Sequence, residues 1–323
     1  MIINIIVIIF TSIFIYFFSE RLAHISTRVG DYFHLPRSVK GATLDAIASS
    51  FPELMVAIFA IISFNKFEVG VGTIAGSALF NLLVIPAFSV LLAPVVFKVS
   101  REVMYRDAMF YNISVFALLA GLMYAKMWGF MIPIIFILIY IWYIRDAIAH
   151  SKNHRITTQK EVYTETMNIW KEIIEGLFYL AIVAGSAFFL TEHAISLAEV
   201  LNIPAIIIAF TVIAAATSLP DAVVSITNAK KGNIDDAVSN VFGSNIFDIL
   251  IGLSVPVLLA VFLFGQKVEV YIEHIELILG LLGATVLSIY FIAEDYTLNK
   301  KKAFVLLLMY IAFMVYVIHL GFA

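Results

Sequence analysis

The chain has 323 residues, of which 62% are hydrophobic and 13% charged. A soluble domain carries roughly a quarter charged residues, so this is the composition of a polytopic membrane protein. A net charge of −3 without a large basic patch leaves no nucleic-acid partner, and the absence of cysteine excludes disulfides, thiolate metal sites and thiol catalysis.

Apolar stretches predict ten membrane helices, at about 2–20, 36–63, 68–93, 104–124, 128–147, 173–198, 203–228, 234–264, 270–292 and 302–321. The first run, Ile2 to Phe18, has neither a basic start nor a small-residue cleavage site, and it reads as a retained helix. The one long polar connection, Arg145 to Lys171, divides the chain into a first five-helix repeat (1–147), a linker (148–171) and a second five-helix repeat (172–323).

Basic residues set the expected orientation. With the N-terminus outside, the loops on the cytoplasmic side hold seventeen Lys and Arg: Arg21, Arg28, Arg37 and Lys40; Lys98, Arg101 and Arg106; Arg145, Lys152, Arg155, Lys160 and Lys171; Lys230 and Lys231; and Lys300 to Lys302. The opposite loops hold three, Lys66, Lys126 and Lys267. The positive-inside rule therefore predicts a multi-pass cell-membrane protein with both termini outside and the linker 148–171 cytoplasmic. Five helices per half then make the second half an inverted copy of the first. The expected fold is an all-α membrane protein, built from two inverted repeats with helices 2 and 7 broken at the midplane.

Two stretches carry that symmetry. Gly41 to Glu53 reads GATLDAIASSFPE, and Ala209 to Asp221 reads AFTVIAAATSLPD. Aligned without gaps, Thr43 matches Thr211, Ala46 matches Ala214, Ala48 matches Ala216, Ser50 matches Ser218, Pro52 matches Pro220 and Glu53 matches Asp221. Each proline removes a backbone donor and breaks or kinks its helix. A carboxylate beside such a break, at membrane depth, is costly to bury without a cation or a partner. Downstream, GVGTIAGSALFNLL (70–83) matches AVSNVFGSNIFDIL (237–250). Ser77 and Asn81 share one helix face, as do Ser244 and Asp248.

The four segments together supply Glu53, Asp221, Asp248, Asn81 and the hydroxyls of Ser49, Ser50, Thr217, Ser218, Ser77 and Ser244. The set is all oxygen, which suits hard cations such as Ca²⁺. Three acids exceed the charge of one divalent ion, leaving K⁺, several Na⁺ or a proton to complete neutrality. Bare carboxylates at membrane depth repel one another, so replacement of one cation by others is close to obligatory. That is the physical basis for exchange. The alternative for the hydroxyls is back-bonding to their own helices.

At these residues the chain resembles the cation/calcium exchanger superfamily, whose inverted repeats carry G-[TS]-S-x-P-[ED] and G-S-x-x-x-[ND]. The resemblance implies that Glu53 and Asp221 are the central calcium carboxylates. It also implies that Ser49, Ser50, Ser77, Thr217, Ser218, Ser244, Asn81 and Asp248, with the carbonyls of Ala46 and Ala214, line the calcium and sodium positions. The implied activity is a monomeric antiporter, without a cofactor, that exports Ca²⁺ against Na⁺ as helices 1 and 6 move relative to the core. TSLPD followed by GSNIFD is most similar to the potassium-dependent sodium/calcium exchangers, in which the aspartate matching Asp248 is associated with K⁺. A Ca²⁺/H⁺ antiporter is the other alternative.

The chain departs from the family pattern at Ala48 and Ala216, at SSFPE and at Asp45, which stands where an apolar residue is usual. Asp45 lies two turns before Glu53 and nearly above Ser49. It reads either as a proton or extra cation site, or as an acid facing a wet inner cavity or a basic loop residue. The aromatic stripe Phe136, Tyr140 and Tyr143 reads as lipid-facing or interfacial packing.

Overall fold

A computed structural model describes residues 1–33, 40–154, 168–265, 267–270, 272 and 274–322. Arg37, Arg155 and Lys160, counted above among the loop cations, lie outside these residues, as does most of the linker. Eight described helices are long and apolar enough to cross a bilayer, and two bent helix pairs raise the number to ten. In chain order they are α1 (Ile2–Tyr32), a broken span ending in α2 (Ala46–Ser49) and α3 (Phe51–Ile62), α4 (Phe67–Leu92), α5 (Arg101–Tyr124) and α6 (Met131–His154). The second half holds α7 (Ile169–Leu201), a broken span of α8 (Ala205–Ile208), α9 (Ala214–Thr217) and α10 (Leu219–Lys230), then α11 (Ile234–Leu250), α12 (Ser254–Phe264), α13 (Glu276–Ala293) and α14 (Lys300–Phe322).

The order matches the expected ten, but several helices outrun their apolar stretches. Helix α1 continues to Tyr32, so Arg21 and Arg28 ride on helix and not in a loop. Arg145 and Lys171 sit likewise on α6 and α7. Hydropathy marks where hydrocarbon ends. The helical backbone bonds are internal and continue past that point. The predicted eighth helix is divided, stopping at Leu250 and resuming at Ser254.

Both broken spans have the same construction. The axes of 43–49 and 51–62 differ by 52°, and those of 205–217 and 219–230 by 43°. Pro52 and Pro220 have no N–H to return to the carbonyls of Ala48 and Ala216, four residues back. The last turns before the breaks close through Ser50 N–H to Ala46 O (2.9 Å) and Ser218 N–H to Ala214 O (3.0 Å). Upstream, each half carries a five-residue π-helical turn at the matched position, Gly41–Asp45 and Ala209–Ile213. Such turns widen the helix locally and re-aim the side chains that follow.

Helices α4 and α11 form the centre and are buried along nearly their whole length. They touch each other, and each touches both broken spans. Gly76 permits that approach: a Cβ there would lie 2.2 Å from the Phe210 carbonyl oxygen and 2.7 Å from the Ala214 Cβ. Helices α1 and α7 pack along each other and against the broken spans. Two short antiparallel pairs, Phe97–Lys98 with Thr297–Leu298 and Met127–Trp128 with Val268–Glu269, tie loops of one half to loops of the other.

The aromatic stripe of α6 corrects an expectation. Phe136, Tyr140 and Tyr143 are buried, not lipid-facing. The Tyr140 ring meets Phe247 of α11 edge-on at 5.8 Å, and Phe136 meets Trp128 at 5.4 Å. Helix α6 packs against α11 and α12, and its opposite face, with Leu138 and Trp142, is exposed. Arg106 is also no loop cation. It is buried within α5, in a two-pronged ion pair with Asp107 (2.6 and 2.9 Å).

Candidate cation-binding site

Each break places a carboxylate in the first turn of a new helix, Glu53 in α3 and Asp221 in α10. The unpaired N–H groups and the dipole of a helix N-terminus favour negative charge there. Helices α4 and α11 bring Ser77, Asn81, Ser244 and Asp248 to the same point, one helical turn apart on each. All six side chains are fully buried, as are Ser49, Ser50, Thr217 and Ser218. Glu53, Asp221 and Asp248 present carboxylate oxygens within 4.8 Å of one another.

Hydrogen bonds cross between the halves. Asn81 Nδ2 donates to Asp221 Oδ2 (2.7 Å) and to Asn245 Oδ1 (3.1 Å). Ser218 Oγ donates to Ser77 Oγ (2.8 Å), and Ser77 Oγ donates to Glu53 Oε1 (3.4 Å). Ser244 Oγ donates to Asp221 Oδ1 at 2.8 Å and lies 3.4 Å from Ser49 Oγ. Both oxygens of Asp221 therefore have protein donors. Glu53 Oε2, both oxygens of Asp248, Ser50 Oγ and Asn81 Oδ1 are buried without a hydrogen-bond partner.

That division matters chemically. A buried acceptor without a donor costs about 1–3 kcal/mol, and more for a charged group. Three buried carboxylate oxygens without donors, on acids whose carboxylates gather within 4.8 Å of one another, are a poor way to stabilise a core and a good way to hold a cation. In the segments 43–62, 67–92, 205–230 and 234–250 the one Lys or Arg is Lys230, at the far end of α10. No histidine lies in them, so the donor set remains all oxygen.

The sequence-predicted residues divide by role. Thr217 bonds back to its own helix, its hydroxyl donating to the carbonyls of Ile213 (3.1 Å) and Ala214 (3.3 Å). Ser49 does so in part, donating to Ala46 O at 3.2 Å. The Ala46 and Ala214 carbonyls thus already serve as helical and hydroxyl acceptors, one turn before the breaks. Asp45 is separate from the cluster. It is buried at the end of its π-turn, and its Oδ1 accepts from Thr27 Oγ1 (3.2 Å) and Ser26 Oγ (3.5 Å) of α1. Asn245 was not anticipated. It bridges Asn81 to the Ala78 carbonyl (3.2 Å) and so fixes the amide that serves Asp221. Its signal was an amide next to Ser244, at the step where the first half has Ala78.

The comparisons agree with this architecture. The family model described as sodium/calcium exchanger protein matches residues 3–146 and 174–319. Sodium/potassium/calcium exchanger 4 of Mus musculus is 36% identical over 128 residues, which is 38% of this chain but only 20% of that protein. An uncharacterized membrane protein of Methanocaldococcus jannaschii is 26% identical over 73% of this chain and 76% of its own length. Among solved structures, the sodium-calcium exchanger NCX_Mj superposes with a TM-score of 0.67 at 22% identity, covering 97% of this chain and 98% of that one. Native YfkE superposes with a TM-score of 0.74 at 16% identity, covering 100% and 92%. The likeness to both structures is one of fold, an all-helical multi-pass membrane architecture. With the family model matched across both halves, the chain belongs to the sodium/calcium exchanger protein family, a family of cation antiporters.

Proposed function

We propose that the protein is a secondary active antiporter that exports Ca²⁺ in exchange for Na⁺ by alternating access. The supporting observation is the buried triad Glu53, Asp221 and Asp248, each with a carboxylate oxygen within 4.8 Å of the others, in which Glu53 Oε2 and both Asp248 oxygens have no hydrogen-bond partner. One divalent ion, or several monovalent ions, satisfies those oxygens. An empty triad of carboxylates does not survive at membrane depth without neutralisation. Occupancy is therefore handed from one cation to another as the site changes sides.

In this reading Ca²⁺ sits between Glu53 and Asp221, and Ser50, Ser77, Ser218, Ser244 and Asn81 complete the oxygen shell. The halves 1–147 and 172–323 act as inverted repeats about the site, both termini face outside and the 148–171 linker is cytoplasmic. Ser49, Thr217 and the Ala46 and Ala214 carbonyls form the wall next to the breaks. Asp248 supports a second reading, in which K⁺ is carried as well. Both its oxygens lack donors, and a third carboxylate leaves a charge that one Ca²⁺ does not balance.

Reconstituted protein separates the counter-ions. Ca²⁺ uptake is measured in proteoliposomes under an imposed Na⁺ gradient, with and without K⁺, and under an imposed pH gradient. Uptake driven by outward Na⁺ is expected. Uptake driven by the pH gradient and indifferent to Na⁺ would replace this reading with Ca²⁺/H⁺ exchange.

A further inference from the structure

Both broken spans carry a π-turn before the break, and they differ in how that turn meets the long helix beside it. Their π-turns end at matched residues, Asp45 in the first half and Ile213 in the second. Ile213 is 1% exposed, in an apolar cluster with Ala187, Leu190 and Ala194 of α7. Asp45 instead meets α1 through oxygen, accepting from Thr27 Oγ1 and Ser26 Oγ. One step of the repeat therefore makes a greasy contact at one end of the ion path and a charged, hydrogen-bonded contact at the other.

These contacts respond to water in opposite ways. Parting an apolar contact exposes hydrocarbon and is resisted. A contact made through oxygen parts without exposing hydrocarbon, giving up about 1.5–3 kcal/mol for a hydrogen bond to a charged group, and water or a cation can then take the hydroxyl's place. Asp45 is also joined directly to the site. The next residue is Ala46, whose carbonyl accepts both the Ser50 N–H (2.9 Å) and the Ser49 hydroxyl (3.2 Å). A shift of Asp45 against α1 moves the wall that carries Ser49 and Ser50.

We infer that Asp45, held by Thr27 and Ser26, is a positioning residue, a polar latch between α1 and the first broken span that controls access to the cation site from its own side only. The inference rests on the exchange reading for the meaning of "access", and its test is independent of transport. The chain has no cysteine, so single reporters are clean. Ala48 and Ala216 are matched residues, each 7% exposed and each beside its own break. Ala48→Cys and Ala216→Cys are made in full-length protein in proteoliposomes, and labelling by a membrane-impermeant maleimide is timed.

Asp45→Asn is expected to raise the labelling rate of the Ala48→Cys reporter by about tenfold, the weight of a hydrogen-bonded charge. It should leave the Ala216→Cys reporter within about twofold. The double variant Ser26→Ala with Thr27→Ala should reproduce the effect with Asp45 intact, which keeps the test decisive if Asp45→Asn folds poorly. Equal acceleration of both reporters, or none at Ala48→Cys in either background, would overturn the latch. Loss of Ca²⁺ transport in wild-type protein with the labelling pattern intact would instead count against the exchange reading alone.

Discussion

Replacing Glu53 by Gln gives the sharpest expectation, because it changes charge and almost nothing else. Carboxylate oxygens within 4.8 Å of one another repel by at least about 3.5 kcal/mol per pair at an effective dielectric constant of ~20. Over three pairs that is roughly 10 kcal/mol if all are ionised, and Glu53 takes part in two of them. A Ca²⁺ ion about 2.4 Å from a Glu53 oxygen gains about 14 kcal/mol on the same footing. Glu53→Gln thus removes about 14 kcal/mol of attraction and about 7 kcal/mol of repulsion, a net loss of about 7 kcal/mol. The amide oxygen remains a ligand and recovers part of it. A loss of about 4 kcal/mol or more, a thousandfold in affinity, is expected.

Calorimetric titration of Ca²⁺ into detergent-purified protein reads that loss. The same substitution relieves repulsion in the cation-free protein, so its melting temperature without Ca²⁺ should rise. A residue with a purely structural role would lower both quantities. Ca²⁺ affinity within about threefold of wild type would refute the reasoning.

Asn81→Ala removes both the donor to Asp221 Oδ2 and the tie to Asn245; a hydrogen bond to a charged group is worth about 1.5–3 kcal/mol, so Ca²⁺ binding should weaken roughly 10- to 100-fold by titration. Gly76→Ala puts a methyl group 2.2 Å from a backbone carbonyl that cannot move aside, and it should lower the melting temperature and abolish Ca²⁺ flux together. Asp248→Asn should keep Ca²⁺ binding while removing any K⁺ dependence of flux; unchanged K⁺ dependence would show that the third acid does not set it. In the loop before α14, the Lys302 and Thr297 hydrogen bonds hold the Asp295 carboxyl down, from an ordinary 3.8 to about 2. A depressed pKa contributes stability above the ordinary value and loses it as pH falls through the folded one, so melting curves should decline between about pH 4 and 2, and Asp295→Asn should flatten that decline.

The breaks were legible because their cause is local. Proline removes the helical hydrogen bond to the carbonyl four residues back, and where the helix breaks there an acid in the next turn inherits the new helix N-terminus. The pairing of Ser77 with Asn81, and of Ser244 with Asp248, followed equally from helical spacing. What sequence did not reveal depends on neighbours. For Thr217 the sequence left both a ligand role and a back-bond open, and only the packed helices show its hydroxyl donating to the Ile213 and Ala214 carbonyls, with the oxygen's lone pairs still able to meet a cation. Asn245 looked like one more amide until α4 brought Ala78 and Asn81 against it. The π-turns are one-residue adjustments of register that hydropathy does not record. Tyr140 and Tyr143 read as interfacial because their hydroxyls suit a membrane surface, but α6 turns that face inward.

The most direct test of the whole account is Ca²⁺ efflux from preloaded proteoliposomes into choline medium, compared with efflux into Na⁺ medium at the same buffered pH. If Glu53, Asp221 and Asp248 have to be occupied to cross, efflux into choline should match protein-free liposomes, and Na⁺ should accelerate it manyfold. Equal efflux into both media would mean that the acids cross unoccupied, contradicting exchange at this site.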